Sequence, residues 1–370
     1  MIDAKRFDQD RFTVRVLDET ADGRALAPLF HAEAFPGQIE LAYLRDPDPI
    51  RSWAAEGVAL RVFVLSETAS PEHVLGCGTC VVREVWVGGE RRRVGYLAGL
   101  KLLPEWRGRI RFIAALYRWM IETTRPLVDL WYTTILSENE AALRLLARPR
   151  PSIPLYVHQG RYRVHLLPAG AGRRLLPGRR SELPAGWTLV TRNEACVAAA
   201  ALAAGRDLAD VAFPPGGLFA LMDAPGRPAA CLHVVDQRAL KQYRVLRYNG
   251  AAAWLQNVPA PLMRGLGLPP FPEPGSTVPL LSGALLLDRN TVLHADVANA
   301  ILTRLLEAAS NFAAGCGATM LGIGAMEDSP EDRLLAGRRG IRYTSELFLV
   351  DPERDAGRLL QDPWLHVAWL

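Results

Sequence analysis

The chain alternates short apolar segments rich in β-branched residues with amphipathic segments, a pattern typical of an α/β protein. In the first half we predict strands at 11–17, 59–66, 73–87, 91–103 and 127–136, and helices after Arg107 and from Glu138 to about Ala147. Gly88 and Gly89 separate two apolar runs and predict a hairpin turn. A second hairpin is predicted over 154–167, with Gly160 at its turn.

The same order of elements returns after residue 186. Strands are predicted at 187–190, 217–224, 228–236, 279–287, 318–324 and 343–350, and helices at 194–204, 295–313 and 330–337. The Pro-rich region 237–279 receives no assignment. This recurrence predicts a structural duplication, in which a mixed sheet with helices on its faces occurs twice.

A Pro-, Gly- and Arg-rich stretch divides the two halves. Residues 168–186 have the composition of a linker. We therefore expect a first domain over 1–167 and a second over 187–355, which fits the length of 370 residues. The apolar tail 356–370 is expected to dock, either on its own chain or on a partner.

Composition excludes several classes of protein. Hydrophobic residues make up 49% of the chain and charged residues 22%, as in ordinary globular proteins. The formal charge of +4 does not indicate a nucleic-acid partner, and no apolar stretch reaches the length of a membrane helix. The charged opening MIDAKRFDQD and five scattered cysteines favour a cytoplasmic location.

The sequence predicts no metal site. Cys77 and Cys80 have the C-x-x-C spacing, but residues three apart in a strand point to opposite faces. The seven histidines are isolated from one another in sequence. Buried small side chains are therefore the preferred interpretation of the two cysteines.

Basic residues cluster where a helix is expected to begin. After an apolar strand and Pro104 come Arg107, Gly108, Arg109 and Arg111. A helix N-terminus has unpaired N–H groups and a partial positive charge, so additional cations there favour an anionic ligand. The alternative is a buried helix with an apolar first turn, because Ile110 begins an apolar stripe at helical spacing.

The segment LKLLPEWRGR (100–109) resembles the GNAT superfamily of acyl-CoA N-acyltransferases. In that family a strand ending in L-x-V-x-P leads into (R/Q)-G-x-G-x-G/A at a helix start. Residues 87–109, 234–248 and 340–350 resemble a group with two GNAT-like domains in tandem. The resemblance implies an α/β fold of two such domains, each a mixed, mostly antiparallel sheet flanked by helices.

The resemblance also implies a co-substrate, acetyl-CoA or another acyl-CoA, and transfer of its acyl group to an amine. The strand would pair with the pantetheine arm, and the arginines would bind the pyrophosphate. The acceptor would be a small molecule or a peptide, and whether the chain forms a homo-oligomer stays open. The implied cofactor-binding residues are Leu100, Leu102, Leu103, Arg107, Gly108, Arg109, Ile110, Arg111, Phe112 and Asn139.

Several positions depart from the family pattern. Ile110 and Phe112 replace two glycines, Leu146 replaces the tyrosine that protonates the leaving thiolate, and Gly99 replaces a carboxylate. No general acid or base can be assigned, since Tyr156 and Glu84 are more simply explained as a packed aromatic and a surface glutamate. A non-catalytic acyl-CoA-binding or scaffolding protein is therefore the alternative function.

Two further expectations concern the helix ends and the second half. Ser137 is a candidate cap for the helix that follows it. The second half has no glycine in 285–302, and Asp288 and Asp296 near its predicted helix start would repel a phosphate. The first domain is therefore the favoured acyl-CoA site. A Fem-type aminoacyl transferase acting on charged tRNA is disfavoured by the small net charge.

Overall fold

The computed structural model describes residues 3–31, 34–35, 37–151, 153–169, 183–265, 271–289, 295–338, 340–354 and 359–370. Within them, thirteen strands form one mixed sheet, and two more strands form a separate ribbon. The strands are β1 (Asp3–Phe7), β2 (Phe12–Leu17), β3 (Ile39–Leu44), β4 (Ala59–Glu67), β5 (Ser70–Val87), β6 (Glu90–Leu102), β7 (Leu130–Leu136), β8 (Leu155–Pro168), β9 (Thr188–Thr191), β10 (Gly217–Met222), β11 (Pro228–Val235), β12 (Gln242–Tyr248), β13 (Leu280–Leu287), β14 (Met320–Met326) and β15 (Ile341–Asp351).

Helices connect and cover these strands. They are α1 (Ala27–His31), α2 (Pro49–Ala54), α3 (Ile113–Thr124), α4 (Glu140–Ala142), α5 (Arg192–Ala203), α6 (Gly250–Leu255), α7 (Ala260–Gly265), α8 (Ala295–Gly315) and α9 (Pro330–Ala336). The predicted fold class, a mixed sheet flanked by helices with two repeated halves, is confirmed.

The order of strands shows how the two halves join. It runs β1-β2-β4-β5-β6-β7-β15-β8-β14-β13-β11-β10-β9, with β3 and β12 forming the ribbon. Neighbouring strands are antiparallel except β6 with β7 and β13 with β14, which are parallel. Each half thus contributes an antiparallel run that ends in one parallel pair. At the centre, β15 from the end of the chain lies between β7 and β8.

The apolar patterning explains which faces are covered. Alternate residues of β5 and β6 enter two different cores, as the period of two in a strand requires. One core contains Trp53 of α2, and the other contains Tyr117 and Met120 of α3. In the second half, α8 and α5 contribute to two further cores.

One predicted hairpin is confirmed and the other is wrong. Gly88 and Gly89 have φ of 60° and 78° and turn β5 into β6, where the left-handed region suits glycine. By contrast, β8 runs unbroken through Gly160, whose φ is 118°. The register against β15 shifts between Leu347 and Phe348, so this glycine lies at a bulge.

The C-terminal tail packs on the chain itself. Trp364, His366 and Trp369 are each less than 5% exposed. The Trp369 indole donates to Asp210 at 2.9 Å, and Lys241 donates to the carbonyl of Ala368 at 2.6 Å. Of the predicted linker and tail, residues 170–182 and 356–358 lie outside the described residues.

Candidate functional site

The first feature of the site is a gap between β6 and β7. Their parallel pairing covers only Val94, Gly95 and Tyr96 of β6. Beyond Tyr96 both strands continue, β6 beside β5 and β7 beside β15, without pairing to each other. We call this gap the first splay, formed by residues 97–102 of β6 and 133–136 of β7. At its closed end, the Thr133 hydroxyl donates to the carbonyl of Leu97 at 2.7 Å.

The edge of β6 in the first splay is shaped by a bulge at Gly99. The register against β5 shifts between Cys77 and Thr79, and Gly99 has φ of 60°. Leu100, which follows the bulge, is 49% exposed. A strand edge of this kind presents backbone N–H and C=O groups that an extended ligand can pair with.

The ring of Trp53, from α2, packs against the bulge at Gly99. A Cβ on Gly99 would lie 2.5 Å from Cζ2 of Trp53, so only glycine fits beneath the ring. Helix α2 is fixed by Asp48, whose carboxylate accepts hydrogen bonds from the N–H groups of Ile50 and Arg51. The bulge and the indole ring are therefore built to fit each other.

The basic loop lies between β6 and α3 and not within the helix. A short 3₁₀ turn at Pro104–Trp106 ends at Arg107, and α3 begins at Ile113. Gly108 has φ of 77°, with open space around the position a Cβ would take. The predicted helix start near Arg107 is thus wrong, because the left-handed glycine interrupts the chain before a helix can form.

The arginines of this loop are solvent-exposed. Arg107, Arg109 and Arg111 all have exposed side chains, and Nε of Arg107 donates to the carbonyl of Leu102 at 3.2 Å. Phe112 occupies the N-cap position of α3 without a side-chain cap. Three guanidinium groups and an uncapped helix N-terminus therefore lie beside one end of the first splay.

Phe112 and Ile110, the two residues of the basic loop predicted to stand in place of glycines, lie in different surroundings. Phe112 stacks on Phe7 with ring centroids 4.8 Å apart, which takes it into the core beside β1. Ile110 lines a shallow pocket of about 230 Å³ together with Arg111 and Arg150. The remaining lining residues are Ile113, Ala114, Leu145, Leu146 and Ile153. Ile110 thus forms a wall of the pocket between α3 and the turn that follows α4.

The other sequence-predicted residues have structural contacts of their own. The N–H of Leu103 donates to the carbonyl of Leu75 at 2.8 Å, and Leu102 pairs with Gly76. Asn139 caps α4 by accepting from the N–H of Ala142 at 3.1 Å. The expectation that Ser137 caps this helix is wrong, since its hydroxyl donates to Glu346 at 2.8 Å.

Tyr156 and Glu84, which the sequence suggests only weakly as general acid and general base, have structural roles. The Tyr156 hydroxyl bonds to the Tyr117 hydroxyl within the core, and burial raises its pKa well above the ordinary value. Leu146 is 6% exposed. Glu84 is exposed and pairs with Arg93 at 3.3 Å, away from the splay end of β6. Neither Tyr156 nor Glu84 is brought to the first splay.

The second half contains the corresponding gap, and its own side chains fill it. β13 pairs with β14 from Leu280 to Ala284, and the second splay begins at Leu285. Trp364 donates to the Leu285 carbonyl at 2.8 Å. Arg206 donates to the Leu287 carbonyl at 2.8 Å, and Glu331 accepts from the Leu287 N–H at 3.2 Å. Sequence reasoning missed this group, because its members come from distant segments.

Three further findings concern metal ions, thiols and membrane-spanning helices. The described residues contain no cluster of three or more His, Cys, Asp or Glu side chains that could hold a metal ion. Cys77 and Cys80 belong to opposite cores, and burial raises the pKa of each thiol to about 12. No described helix has the length and apolar character needed to cross a membrane.

Comparisons with known proteins agree on the architecture. No family model matches the sequence, and no curated protein matches it. A structure of Saccharomyces cerevisiae N-myristoyltransferase with bound myristoyl-CoA matches with a TM-score of 0.52 and 9% identity, over 92% of this chain and 79% of that chain. A GCN5-related N-acetyltransferase from Sphaerobacter thermophilus matches with a TM-score of 0.50 and 14% identity, over 92% of this chain and 96% of that chain.

The chain has the acyl-CoA N-acyltransferase fold. The predicted resemblance is thus confirmed for the architecture, including its two repeated halves. Sequence identities this low show the fold alone, so the chemistry of this protein rests on its own residues. In the first splay, Leu100 of β6 is exposed and the carbonyls of Leu97 and Leu102 accept from Thr133 and Arg107. In the second, side chains from distant segments bond to the backbone of β13.

Proposed function

We propose that this protein binds an acyl-CoA in the first splay and transfers the acyl group to an amine. The observation that carries the proposal is the edge of β6 beyond Tyr96, which β7 leaves unpaired beside a loop of three exposed arginines. The pantetheine arm would pair with this edge near Leu100 and Leu102. The pyrophosphate would lie at Arg107, Arg109 and the N–H groups that open α3.

The reaction itself requires mainly positioning. The amine nitrogen attacks the thioester carbonyl carbon, an amide bond forms and the C–S bond breaks. The amine loses a proton, and the departing CoA thiolate takes up a proton. Holding the thioester against the edge of β6 supplies the orientation that such an attack needs. The acceptor amine, on a small molecule or a peptide, would approach from the open end of the splay.

The binding step is tested by thermal stability in the presence of ligand. CoA and acetyl-CoA at a hundredfold excess over Kd should stabilise the folded chain by about 2.7 kcal/mol. Adenosine, which lacks both pantetheine and pyrophosphate, is the control and should give no shift. If millimolar CoA leaves the melting temperature unchanged, the proposal is wrong.

The transfer step is tested by release of the CoA thiol. With acetyl-CoA and a panel of small amines and peptides with free N-termini, at least one acceptor should release thiol faster than water does. The N-acylated product should appear in equal amount by mass spectrometry.

A non-catalytic acyl-CoA-binding protein is the second candidate. It is favoured by Leu146, Gly99 and the core position of Tyr156, which leave no acid or base assigned at the first splay. For this function, acetyl-CoA should bind and stabilise the chain while every amine stays inert. The two assays together therefore separate an enzyme, a binding protein and a chain that does neither.

A further inference from the structure

The closed end of the first splay determines where an acyl group could go. This inference rests on the proposed function, in which pantetheine follows β6 from Leu102 towards Leu97. The hydrogen bond from Thr133 to the Leu97 carbonyl and the pairing of β6 with β7 at Tyr96 close the way between the strands. An acyl chain reaching this end must therefore turn towards one face of the sheet.

On the face of the sheet covered by α3, the side chains around Leu97 are tightly packed. Leu97, Trp131 and Ile135 are between 4% and 6% exposed and belong to one core. Met120 of α3 is 7% exposed in the same core. Protein cores are packed at crystal-like density, so a long chain could enter only by displacing these side chains.

The other face is covered by Trp53, which has no exposed surface. Its ring packs against the bulge at Gly99, two residues from Leu97. The contact is so close that a Cβ on Gly99 would clash with the ring. The ring is held by Phe30 at 5.6 Å and by the Arg45 guanidinium at 5.0 Å. Trp53 is thus a fixed wall at the end of the splay.

Arg45 is itself held in place by Ser52 of α2 and by Glu56, two residues after the helix ends. It donates to the Ser52 hydroxyl at 2.8 Å and to the Glu56 carboxylate at 2.7 Å. Lys241 also pairs with Glu56, at 2.8 Å. Because the charged partners are buried and mutually bonded, the wall formed by Trp53 is not free to swing aside.

The indole nitrogen is the polar atom of the buried Trp53 ring. This N–H is buried and has no hydrogen-bond acceptor among the described residues. The atom bonded to it, Cε2, lies 3.3 Å from the position that a Gly99 Cβ would take. A buried donor without an acceptor is costly, and a ligand carbonyl at the bulge would satisfy it.

We propose that Trp53 determines acyl-chain length and restricts this site to short acyl groups such as acetyl or propionyl. The ring fills the face of β6 where the chain would otherwise extend.

The test is a chain-length series measured by calorimetric titration of the full chain with CoA, acetyl-CoA, octanoyl-CoA and myristoyl-CoA. Acetyl-CoA should bind at least about tenfold more tightly than octanoyl-CoA. The variant Trp53→Phe keeps most of the ring and should keep this preference. Trp53→Ala should reduce the octanoyl-to-acetyl ratio of Kd values by about tenfold or more. Trp254→Ala removes an 83% exposed ring of α6 and should leave the ratio unchanged.

The outcomes separate this inference from the function on which it rests. If the wild-type chain binds octanoyl-CoA or myristoyl-CoA as tightly as acetyl-CoA, the inference is overturned while acyl-CoA binding stands. An unchanged ratio in a folded Trp53→Ala protein overturns it as well. If that variant does not fold, Trp53→Leu replaces it, and the wild-type series remains decisive. Failure of CoA itself to bind overturns the proposed function and the inference together.

Discussion

Both halves of this molecule contain a gap between two diverging parallel strands, but the backbone groups at the two gaps have different partners. In the first half, β6 leaves β7 after Tyr96, and Leu100 on the freed edge is half exposed. In the second half, β13 leaves β14 after Ala284, and three side chains bond to its backbone at Leu285 and Leu287. The first gap thus has an exposed stretch at Leu100 between the bonded carbonyls of Leu97 and Leu102, whereas side chains bond to the backbone of the second at both Leu285 and Leu287.

The difference shows that two halves with the same topology can satisfy the backbone of a diverging strand pair in different ways. A diverging strand pair leaves backbone groups that must find partners. In the second half those partners are Trp364, Arg206 and Glu331, each less than 7% exposed. In the first half, Thr133 and Arg107 bond to the carbonyls of Leu97 and Leu102, and under the proposed function an acyl-CoA would pair with the stretch between them. One acyl-CoA per chain is the stoichiometry that this account requires.

The largest expected effect comes from breaking the group that fills the second splay. Glu331→Ala should destabilise the protein by about 3 kcal/mol, because it leaves the buried Leu287 N–H without its acceptor and Arg206 with Asp362 as its remaining carboxylate partner. Denaturation by urea measures the loss. Glu307→Ala is the control, since Glu307 pairs with Arg304 on the surface of α8 and should change stability by less than about 0.5 kcal/mol. A loss below about 1 kcal/mol for Glu331→Ala would mean that the second splay is not held together in this way.

The next largest effect is expected on CoA binding by the first half. The double variant Arg107→Ala/Arg109→Ala should weaken CoA binding by about tenfold to a hundredfold, since a hydrogen bond to a charged group contributes about 1.5–3 kcal/mol. Titration calorimetry measures the change, which should shrink as salt is added. Arg118→Ala, an exposed arginine of α3, should leave the affinity unchanged. Equal affinity in the double variant and the wild type would exclude the loop as the pyrophosphate site.

A pH effect tests how the tail is held on the second half. His366 and His233 share a hydrogen bond of 3.0 Å between Nε2 and Nδ1, and the N–H of Ala368 donates to Nδ1 of His366. Nε2 of His233 donates to the carbonyl of Pro214 at 3.0 Å. Burial lowers the pKa of His233 to about 4, and burial together with His233 lowers that of His366 well below its ordinary value. Both rings are therefore neutral in the folded state.

Acidification should consequently destabilise the fold. The unfolded chain binds protons below its ordinary histidine pKa of about 6.5, while the folded His233 stays neutral until about pH 4, so stability is full above 6.5 and falls towards pH 4. His233 alone should cost about 2 kcal/mol between pH 7 and pH 5. His233→Gln should remove the share of this slope that His233 contributes and leave the share of His366, whose pKa is lowered first by burial, whereas His73→Gln at an exposed position should change neither. Urea midpoints that are equal at the two pH values in the wild type would contradict the buried neutral pair.

The smallest effect compares two glycines of the first half. Gly108→Ala meets only the strain of a left-handed residue, which costs about 1 kcal/mol, because the space around it is open. Gly99→Ala meets the same strain and also the Trp53 ring, so it should cost at least about 1 kcal/mol more. Thermal unfolding of the two variants measures the difference. Equal losses would show that Trp53 does not press on the bulge.

Local patterns predicted most of the elements. The turn at Gly88 and Gly89 and the opposite faces of Cys77 and Cys80 depend only on neighbours in sequence, and both agree with the structure. The basic loop was also recognised in sequence, although α3 begins only at Ile113 because Gly108 is left-handed.

Long-range pairing is what the sequence could not predict. Nothing in 154–167 indicates that β15, almost two hundred residues away, will pair along its whole length and convert a predicted turn at Gly160 into a bulge. Likewise, Trp53 and Gly99 meet only because α2 packs against β6, and Arg206 meets Glu331 only after the second half has folded. Such contacts depend on tertiary geometry and not on local periodicity.

A crystal structure of the protein with acetyl-CoA tests the central claim most directly. We expect one ligand per chain, with pantetheine along β6 at Leu100 and Leu102, the pyrophosphate at Arg107 and Arg109, and the second splay still filled by Glu331. A nucleotide bound between β13 and β14, or bound anywhere other than the first splay, would contradict it.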